Sequence, residues 1–541
     1  MATFPTTGAT QTVTVATAPI SVAYDATARS YTITSGSRSQ TFLPSDRDAA
    51  TSTAQLTMFK RSAGNKTDAL ALTAIGTSGA FTYQYVGAGY WQHTEEGTDA
   101  ITGTVDAFTY GIRTKDSAMP RTGFASYAID LIGIESGYQP QIAALAGSGT
   151  MDVDFAGGQI LFSGSGLRKP ATDVPPYAYN PNFGFSGKAS LTAGTAAFNG
   201  QMTVDAAGST LSGRFFGPTA EEVGASFTIG TGTAVNKTVG TITGRKRSGD
   251  VNTVFTPLAD LVGTQSFELA QSGFPFTALV QNSRGTQPGE VVSETTAYNT
   301  AWATLGFDPA AKSYTFDGRT FTPTNVVAAE SSDGVKTYRQ VDGDKTATLR
   351  IYTPNGSNGS VALTYSGFAD YMRLQQPATG TTDAVVRIWS AYGAETLAAN
   401  MPRSGSATYI GQIDGDAYRN GYVAYDMRGT SSIIVNFGGG SVSGELHPIF
   451  TPVGGGSALD LGGLRIAAQI GSGLGSTKAN AFQGSAVEMN NATRATVQIE
   501  GRFFGPTAQE LGANFVGYWM PSTGNVNDTL WFHGVAAGKR Q

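Results

Sequence analysis

The residues able to do chemistry are few. Three histidines, His93, His447 and His533, are the only imidazoles in 541 residues, and there is no cysteine. Thiol nucleophiles, thiolate zinc sites, iron–sulfur clusters and disulfide scaffolds are thereby excluded. The histidines stand far apart, and none sits in a His-Glu-x-x-His or paired spacing, so each reads as a packed or surface residue. His447, before Pro448, reads as a loop residue, and His533 as part of the last strand. Asp342-Gly343-Asp344 and Asp414-Gly415-Asp416 offer alternating acids of the kind calcium uses. Neither continues with glycine at the sixth position and an acid at the twelfth, so both read as hairpin turns. Gly471–Lys478 has only a superficial likeness to a phosphate loop, lacks the Gly-Lys-Ser/Thr order, and reads as a hairpin loop. No Gly-x-Ser-x-Gly elbow is present. Carboxylate pairs acquire meaning only from the fold, so a glycan hydrolase stays open at this level. The expectation is a non-enzyme with no catalytic residue, no metal and no cofactor.

One cluster stands out for binding. Tyr83, Tyr85, Tyr90 and Trp91 form the densest aromatic group of the first half, with Tyr365 and Tyr371 in the matching place of the second. They are the candidate ligand-binding residues, because aromatics anchor interfaces. Core packing is the competing reading.

The elements that must position such residues are strands. Alternating runs such as Ser30–Thr34, Phe81–Tyr85 and Ser432–Phe437 are broken by Gly, Asp, Asn and Ser, the signature of half-buried strands joined by turns. Glycine is 70 of 541, and charged residues are only 14 % against a usual level of about 25 %. Ala49–Met58 and Pro140–Ala146 are the two modest helix candidates. The net charge of −5 is spread over both halves, which argues against nucleic acid as partner. No run of about 18 apolar residues exists to span a bilayer as a helix. Met1–Thr7 lacks a basic n-region and an apolar h-region, so the chain reads either as cytosolic or as lacking a removed leader.

Internal repetition sets the plan. Tyr24–Thr32 returns as Phe307–Thr315, Met119–Gly123 as Met401–Gly405, and Gly213–Ala220 identically as Gly501–Ala508. Shifts that grow slowly from 282 to 293 mean one unit used twice with small loop insertions. Each half divides again, predicting residues 1–103 and 249–383 as hairpin-rich domains, and 104–248 and 384–541 as closed antiparallel barrels.

The repeated Gly-Arg-Phe-Phe-Gly-Pro-Thr-Ala string reads as structural. Phe215 and Phe216 are neighbours on a strand and so face opposite sides, one filling a barrel and the other sealing an outside contact. Pro218 would open a short helix, with Glu221, Glu222 or Glu510 in its first turn and Gly224 or Gly512 ending it.

This string, at Gly213–Phe227 and Gly501–Phe515, resembles the signature of the transferrin-binding protein B-like (TbpB-like) surface lipoproteins of Gram-negative bacteria. Met119–Tyr127 and Met401–Tyr409 are similar to the family's opening barrel strand, and the Lys-Arg endings to its closing one. The resemblance implies an all-β chain of two tandem lobes, each a handle domain followed by an eight-stranded barrel. It implies a surface or secreted protein that captures a host iron protein, haem or haemoglobin for a TonB-dependent outer-membrane transporter. The membrane would be reached only through an N-terminal lipid anchor, whose cysteine the chain lacks. The compact lobes lack long charged insertions, a departure from the larger transferrin binders. A structural or adhesive surface protein on the same barrels is the alternative.

Overall fold

The structure, a computed structural model, describes the chain except residues 1, 6–11, 14–17, 99, 139–140, 171–180, 206, 231–236, 250, 270–275, 282–290, 296–303, 333, 353–360, 377–381, 420–422, 472–478 and 521–528. Turn-rich alternation becomes antiparallel sheet almost throughout, in two units, Met1–Thr253 and Val254–Gln541. In the first unit the handle sheet runs, in spatial order, Thr12–Val13, Ala2–Pro5, Ala100–Gly111, Val86–Glu96, Lys66–Ile75 and Leu56–Ala63. A three-stranded sheet, Ile20–Asp25, Ser30–Ser35 and Arg38–Phe42, packs on it through Ile33, Phe42, Phe59, Leu70, Leu72, Trp91 and Phe108. Eight strands from Phe124–Tyr138 to Lys237–Lys246 then close a barrel.

The second unit repeats this. Its handle sheet runs Val291–Thr295, Phe276–Gln281, Thr382–Gly393, Ser366–Gln375, Lys345–Tyr352 and Val335–Asp342, beside a four-stranded sheet built from Gln265–Glu268 to Arg319–Phe321. Its barrel strands run from Ser406–Arg419 to Leu530–Arg540, closed by pairing of Val423–Asn436 with Ser441–Pro452. The all-β reading of two handles and two eight-stranded barrels is thus what the chain adopts. Ala100–Gly111 and Thr382–Gly393 lie wholly in the handle sheets, paired along their length with Val86–Glu96 and Ser366–Gln375. Sheet therefore gives way to barrel in the connections 112–123 and 394–405, beyond positions 104 and 384.

Three local readings are corrected. Neither expected helix forms: residues 49–55 of the first are turn and its last three open the strand Leu56–Ala63, and the second falls in the strand Gln141–Asp154, each strand finding an antiparallel partner. The helix after Phe-Phe-Gly-Pro is a turn instead: Ala220 and Ala508 take φ of 65° and 60°, a left-handed conformation that ends any helix, and a strand starts at Glu222 and at Glu510. His447 lies within the strand Ser441–Pro452 rather than in a loop.

The double phenylalanine behaves as alternation demands. Phe215 is fully buried inside the first barrel with ring centroids 5.7 Å from Tyr127 and 5.5 Å from Phe198. Phe503 repeats this against Tyr409 at 6.0 Å and Phe482 at 5.6 Å. Gly213 and Gly501 are required beside them, since a Cβ there would stand 2.2 Å from the Phe198 ring and 2.3 Å from the Phe482 ring. Phe216 and Phe504 face outward and are buried against the handle.

Candidate functional site

The strongest concentration of polar chemistry lies where each handle meets its own barrel. Two devices are built there, one present in both units and one in the second alone.

The shared device is a carboxylate clip. Glu222 is buried at the start of a barrel strand and accepts hydrogen bonds from three successive handle amides, Gln84 N at 2.8 Å, Tyr85 N at 2.6 Å and Val86 N at 2.8 Å. Glu510, fully buried, does the same for Thr364 N at 2.6 Å, Tyr365 N at 2.9 Å and Ser366 N at 2.9 Å, and also accepts from Ser366 Oγ at 2.8 Å. Several N–H donors on one buried carboxyl group satisfy its oxygens, and Arg245 Nε stands 3.7 Å from Glu222 as well. The turn before it is fastened identically. Tyr127 Oη donates to Ala220 O at 2.6 Å and Tyr409 Oη to Ala508 O at 2.6 Å. Thr114 Oγ1 donates to Gly217 O at 2.7 Å and Thr396 Oγ1 to Gly505 O at 2.6 Å. The repeated string is therefore the lock between handle and barrel, and its glutamate, read in the sequence as a helix-capping acid, is the bolt.

The second device is an ionic joint in the second unit. Alternation on Ser406–Arg419 points Tyr409 and Ile413 into the barrel and Asp414, Asp416 and Tyr418 outward. The Asp-Gly-Asp segment is thus mid-strand, not a hairpin turn. Asp416 accepts from Trp389 Nε1 at 2.6 Å and pairs with Arg387 Nη1 at 2.7 Å, both on the handle strand Thr382–Gly393. Arg387 also donates through Nε and Nη2 to the two oxygens of Asp370, each at 2.9 Å, and Arg350 Nη1 reaches Asp370 at 2.9 Å. His533 Nε2 stands 3.7 Å from Asp416 on the neighbouring barrel strand. Burial pushes Asp416 up to about 7 and Asp414 up to about 6. Asp370 is lowered, because its two guanidiniums outweigh the cost of burial. Burial pushes His533 down to about 3, so the ring is neutral at pH 7. Such a cluster was not read in the sequence. The available signal was three polar residues at every second position of one strand, with Arg387 and Trp389 spaced likewise on another.

The four aromatic candidates are split between two places. Tyr83 is buried and donates to Asp130 Oδ2 at 2.7 Å and to Thr243 O at 3.0 Å, across to the barrel. Tyr85 packs over Gly217, where a Cβ would lie 2.8 Å from its ring. Tyr90 is paired across the sheet with Ala71 and Ala107, and burial raises its phenol. Trp91 lies in the core between the two handle sheets, its Nε1 donating to Asp68 at 2.8 Å. His93 Nδ1 meets the same Asp68 at 2.8 Å, and His447 stands exposed 3.1 Å from Asp460. Asp342-Gly343-Asp344 joins two strands as a hairpin turn. Residues 472–478 of the Gly-rich loop lie outside the described residues.

Among the described residues no group of three or more His, Cys, Asp or Glu is arranged to hold a metal. A cavity of about 10 Å³ lies in the second handle among Leu269, Phe316, Leu349 and Tyr371, room for about one water. No helix among the described residues is long and apolar enough to cross a membrane.

Residues 401–540 match the family model of the C-lobe and N-lobe beta barrels of Tf-binding protein B. No curated protein matches the chain. Among solved structures, transferrin binding protein B from Haemophilus parasuis is 16 % identical with a TM-score of 0.28, over 87 % of this chain and 85 % of that one. The isotype 1 protein from serogroup B Neisseria meningitidis is 14 % identical with a TM-score of 0.26, over 84 % and 85 %. Scores this low carry no weight for function. Residues 401–540 are thus similar to the barrels of transferrin-binding protein B, on a chain that builds a handle and a barrel twice.

Proposed function

We propose that this is a non-enzymatic surface binding protein, exported from a Gram-negative cell, that captures an iron-carrying host protein or haem and passes it to a TonB-dependent outer-membrane transporter. The observation that carries the reading is the match of residues 401–540 to the transferrin-binding protein B barrels, on a chain that builds the handle-and-barrel unit twice. The chemistry of the described residues favours a macromolecule over haem. The buried tyrosines Tyr83, Tyr127 and Tyr409 are committed to internal hydrogen bonds, so recognition falls to loops carried on rigid sheets. The aromatic handle residues then act by holding that scaffold, with the half-buried Tyr85 and Tyr90 as its most accessible members.

The test is direct. The immobilised chain is exposed separately to iron-loaded transferrin, haemoglobin and haemin. Retention of one of them with a Kd of about 1 µM or tighter, typical of specific recognition, supports capture. If all three pass through while extracellular-matrix glycans are held, the adhesive reading replaces it.

A further inference from the structure

The joint of the second unit is electrically unbalanced. Every charged or titratable group facing Asp416 can be named. Its own strand carries Asp414 and Tyr418; the strand Val423–Asn436 places Asp426 opposite Asp416 and Arg428 opposite Asp414. The strand Leu530–Arg540 places His533 opposite Asp416 and Trp531 opposite Tyr418, and Tyr518 pairs with Trp531. The handle contributes Arg350, Asp370, Arg387 and Tyr352. Four carboxylates thus meet three guanidiniums, with a buried imidazole beside them. Asp370 takes two arginines and Asp414 has Arg428 across the strand pair. Asp416 shares Arg387 with Asp370 and faces Asp426, so one cation is divided between two buried acids. Like charges opposite one another on a sheet repel, and burial strengthens the repulsion.

We propose that the handle–barrel joint of the second unit is a proton-responsive contact: on mild acidification Asp416 takes up one proton, and its grip on Arg387 and Trp389 changes from an ion pair to a neutral hydrogen-bonded contact. The first unit holds apolar residues at the same register positions. Ile134 stands for Asp416, Ile132 for Asp414, Ala144 for Asp426, Val239 for His533, Val105 for Arg387 and Ala71 for Arg350. Its own junction acid, Asp130, lies elsewhere and is bound by Phe81 N and Tyr83 Oη. The response therefore belongs to one unit of two. The upward displacement of Asp416 and the downward displacement of His533 share one cause, burial, which disfavours the charged form of each.

The experiment uses the full chain. Infrared difference spectra between pH 8 and pH 5.5 read the carbonyl stretch of a protonated carboxyl group, and tryptophan fluorescence reads Trp389 beside it. A protonated-carboxyl band with a midpoint near pH 7 is expected, with a parallel change in fluorescence. Asp414, raised to about 6, would add a band of its own, so the variants are compared in an Asp414→Asn background: there both signals are lost in Asp416→Asn, and the band persists while the fluorescence change is lost in Trp389→Phe. Asp130→Asn keeps both, and a folded far-UV spectrum checks each variant. A band that survives Asp416→Asn in that background, one that disappears instead in His533→Asn, or no band at all in the unaltered chain overturns the proposal.

Discussion

The two handle–barrel junctions are the same joint made twice and then made differently. At its inner end each uses a buried glutamate, a tyrosine and a threonine on one turn, with distances that agree within about 0.3 Å from unit to unit. Further along, the first unit places Ala71, Tyr90 and Ala107 where the second places Arg350, Asp370 and Trp389. The difference shows which part of the joint the architecture demands. The clip neutralises backbone groups at a strand start, which any handle docked on any barrel must do. The outer contact has only to fill space, and can be apolar or ionic. A duplicated unit is therefore free to put titratable chemistry in one copy without altering the fold.

The largest effects should come from breaking the shared part. Glu510→Ala leaves four donors without their acceptor at a fully buried position, and Glu222→Ala leaves three. Unpairing buried polar groups on this scale costs about 3–5 kcal/mol. The expected result is faster hydrogen exchange in Ser366–Gln375 for the first variant and in Val86–Glu96 for the second, each leaving the other unit protected. Phe215→Ala and Phe503→Ala test the same equality inside the barrels. Each should cost about 3–5 kcal/mol in denaturant melts, and the two values should agree within about 1 kcal/mol because their ring neighbours correspond. A larger gap would mean that the two barrels are not equivalent scaffolds.

The barrels do differ at one buried place. Arg168 in the first is enclosed, with Nε 2.7 Å from Glu135 and Nη2 2.5 Å from Asp205. The register puts Phe450 and Ala417 at the positions of Arg168 and Glu135 in the second, and Phe450 packs on Phe532 at 5.5 Å. Arg168→Met alone should cost about 3 kcal/mol, because Glu135 is left buried without its ion-pair partner. The double change Arg168→Phe with Glu135→Ala, which copies the second barrel, should recover most of that loss in a urea melt. If it does not, the ion pair is fixed by the first barrel's own packing and the barrels have diverged beyond exchange.

Much of this was legible from sequence. Alternation around Phe215 and Phe216 gave the barrel-in, handle-out split, because strand period leaves adjacent residues no other choice. The repeat gave the two units. What escaped was what a one-dimensional pattern does not carry. Glu222 and Glu510 looked like helix-dipole acids, since nothing in Pro-Thr-Ala announces that alanine will take a positive φ and send the chain straight into a strand. Asp414-Gly415-Asp416 looked like a turn because Asp-Gly usually is one. Its glycine is there for another reason: it faces the barrel interior, where a Cβ would stand 2.3 Å from Met427 Cε and from His533 O. The aromatics around Tyr83 and Trp91 left core and binding face both open, because aromatic density is the same signal for a core and for an interface.

The smallest expected effect is also the one that separates the units most cleanly, since it depends only on pH. Asp416 is raised to about 7 in the folded chain and returns to its ordinary value near 4 on unfolding. Its contribution is therefore fully present at pH 4 and is lost as pH rises through 7. His533 is lowered to about 3 from an unfolded value near 6.5. Its contribution is present above pH 6.5 and is lost as pH falls. Between pH 6.5 and 4 the two run in opposite directions, each with a slope of at most about 1.4 kcal/mol per pH unit; Asp414, raised to about 6, adds a second acid-stabilising slope, so it is in an Asp414→Asn background that the second unit should be nearly indifferent to pH in this window. Asp416→Asn removes one side of the balance, and unfolding of the second unit should then come earlier as the solution is acidified. His533→Asn removes the other, and acid should then stabilise. Urea midpoints at pH 6.5, 5.5 and 4.5 check both slopes, with exchange in Ser406–Arg419 identifying the unit. Slopes of the same sign in the two variants would show that Asp416 and His533 do not oppose one another, and that the difference between the two junctions is one of packing alone.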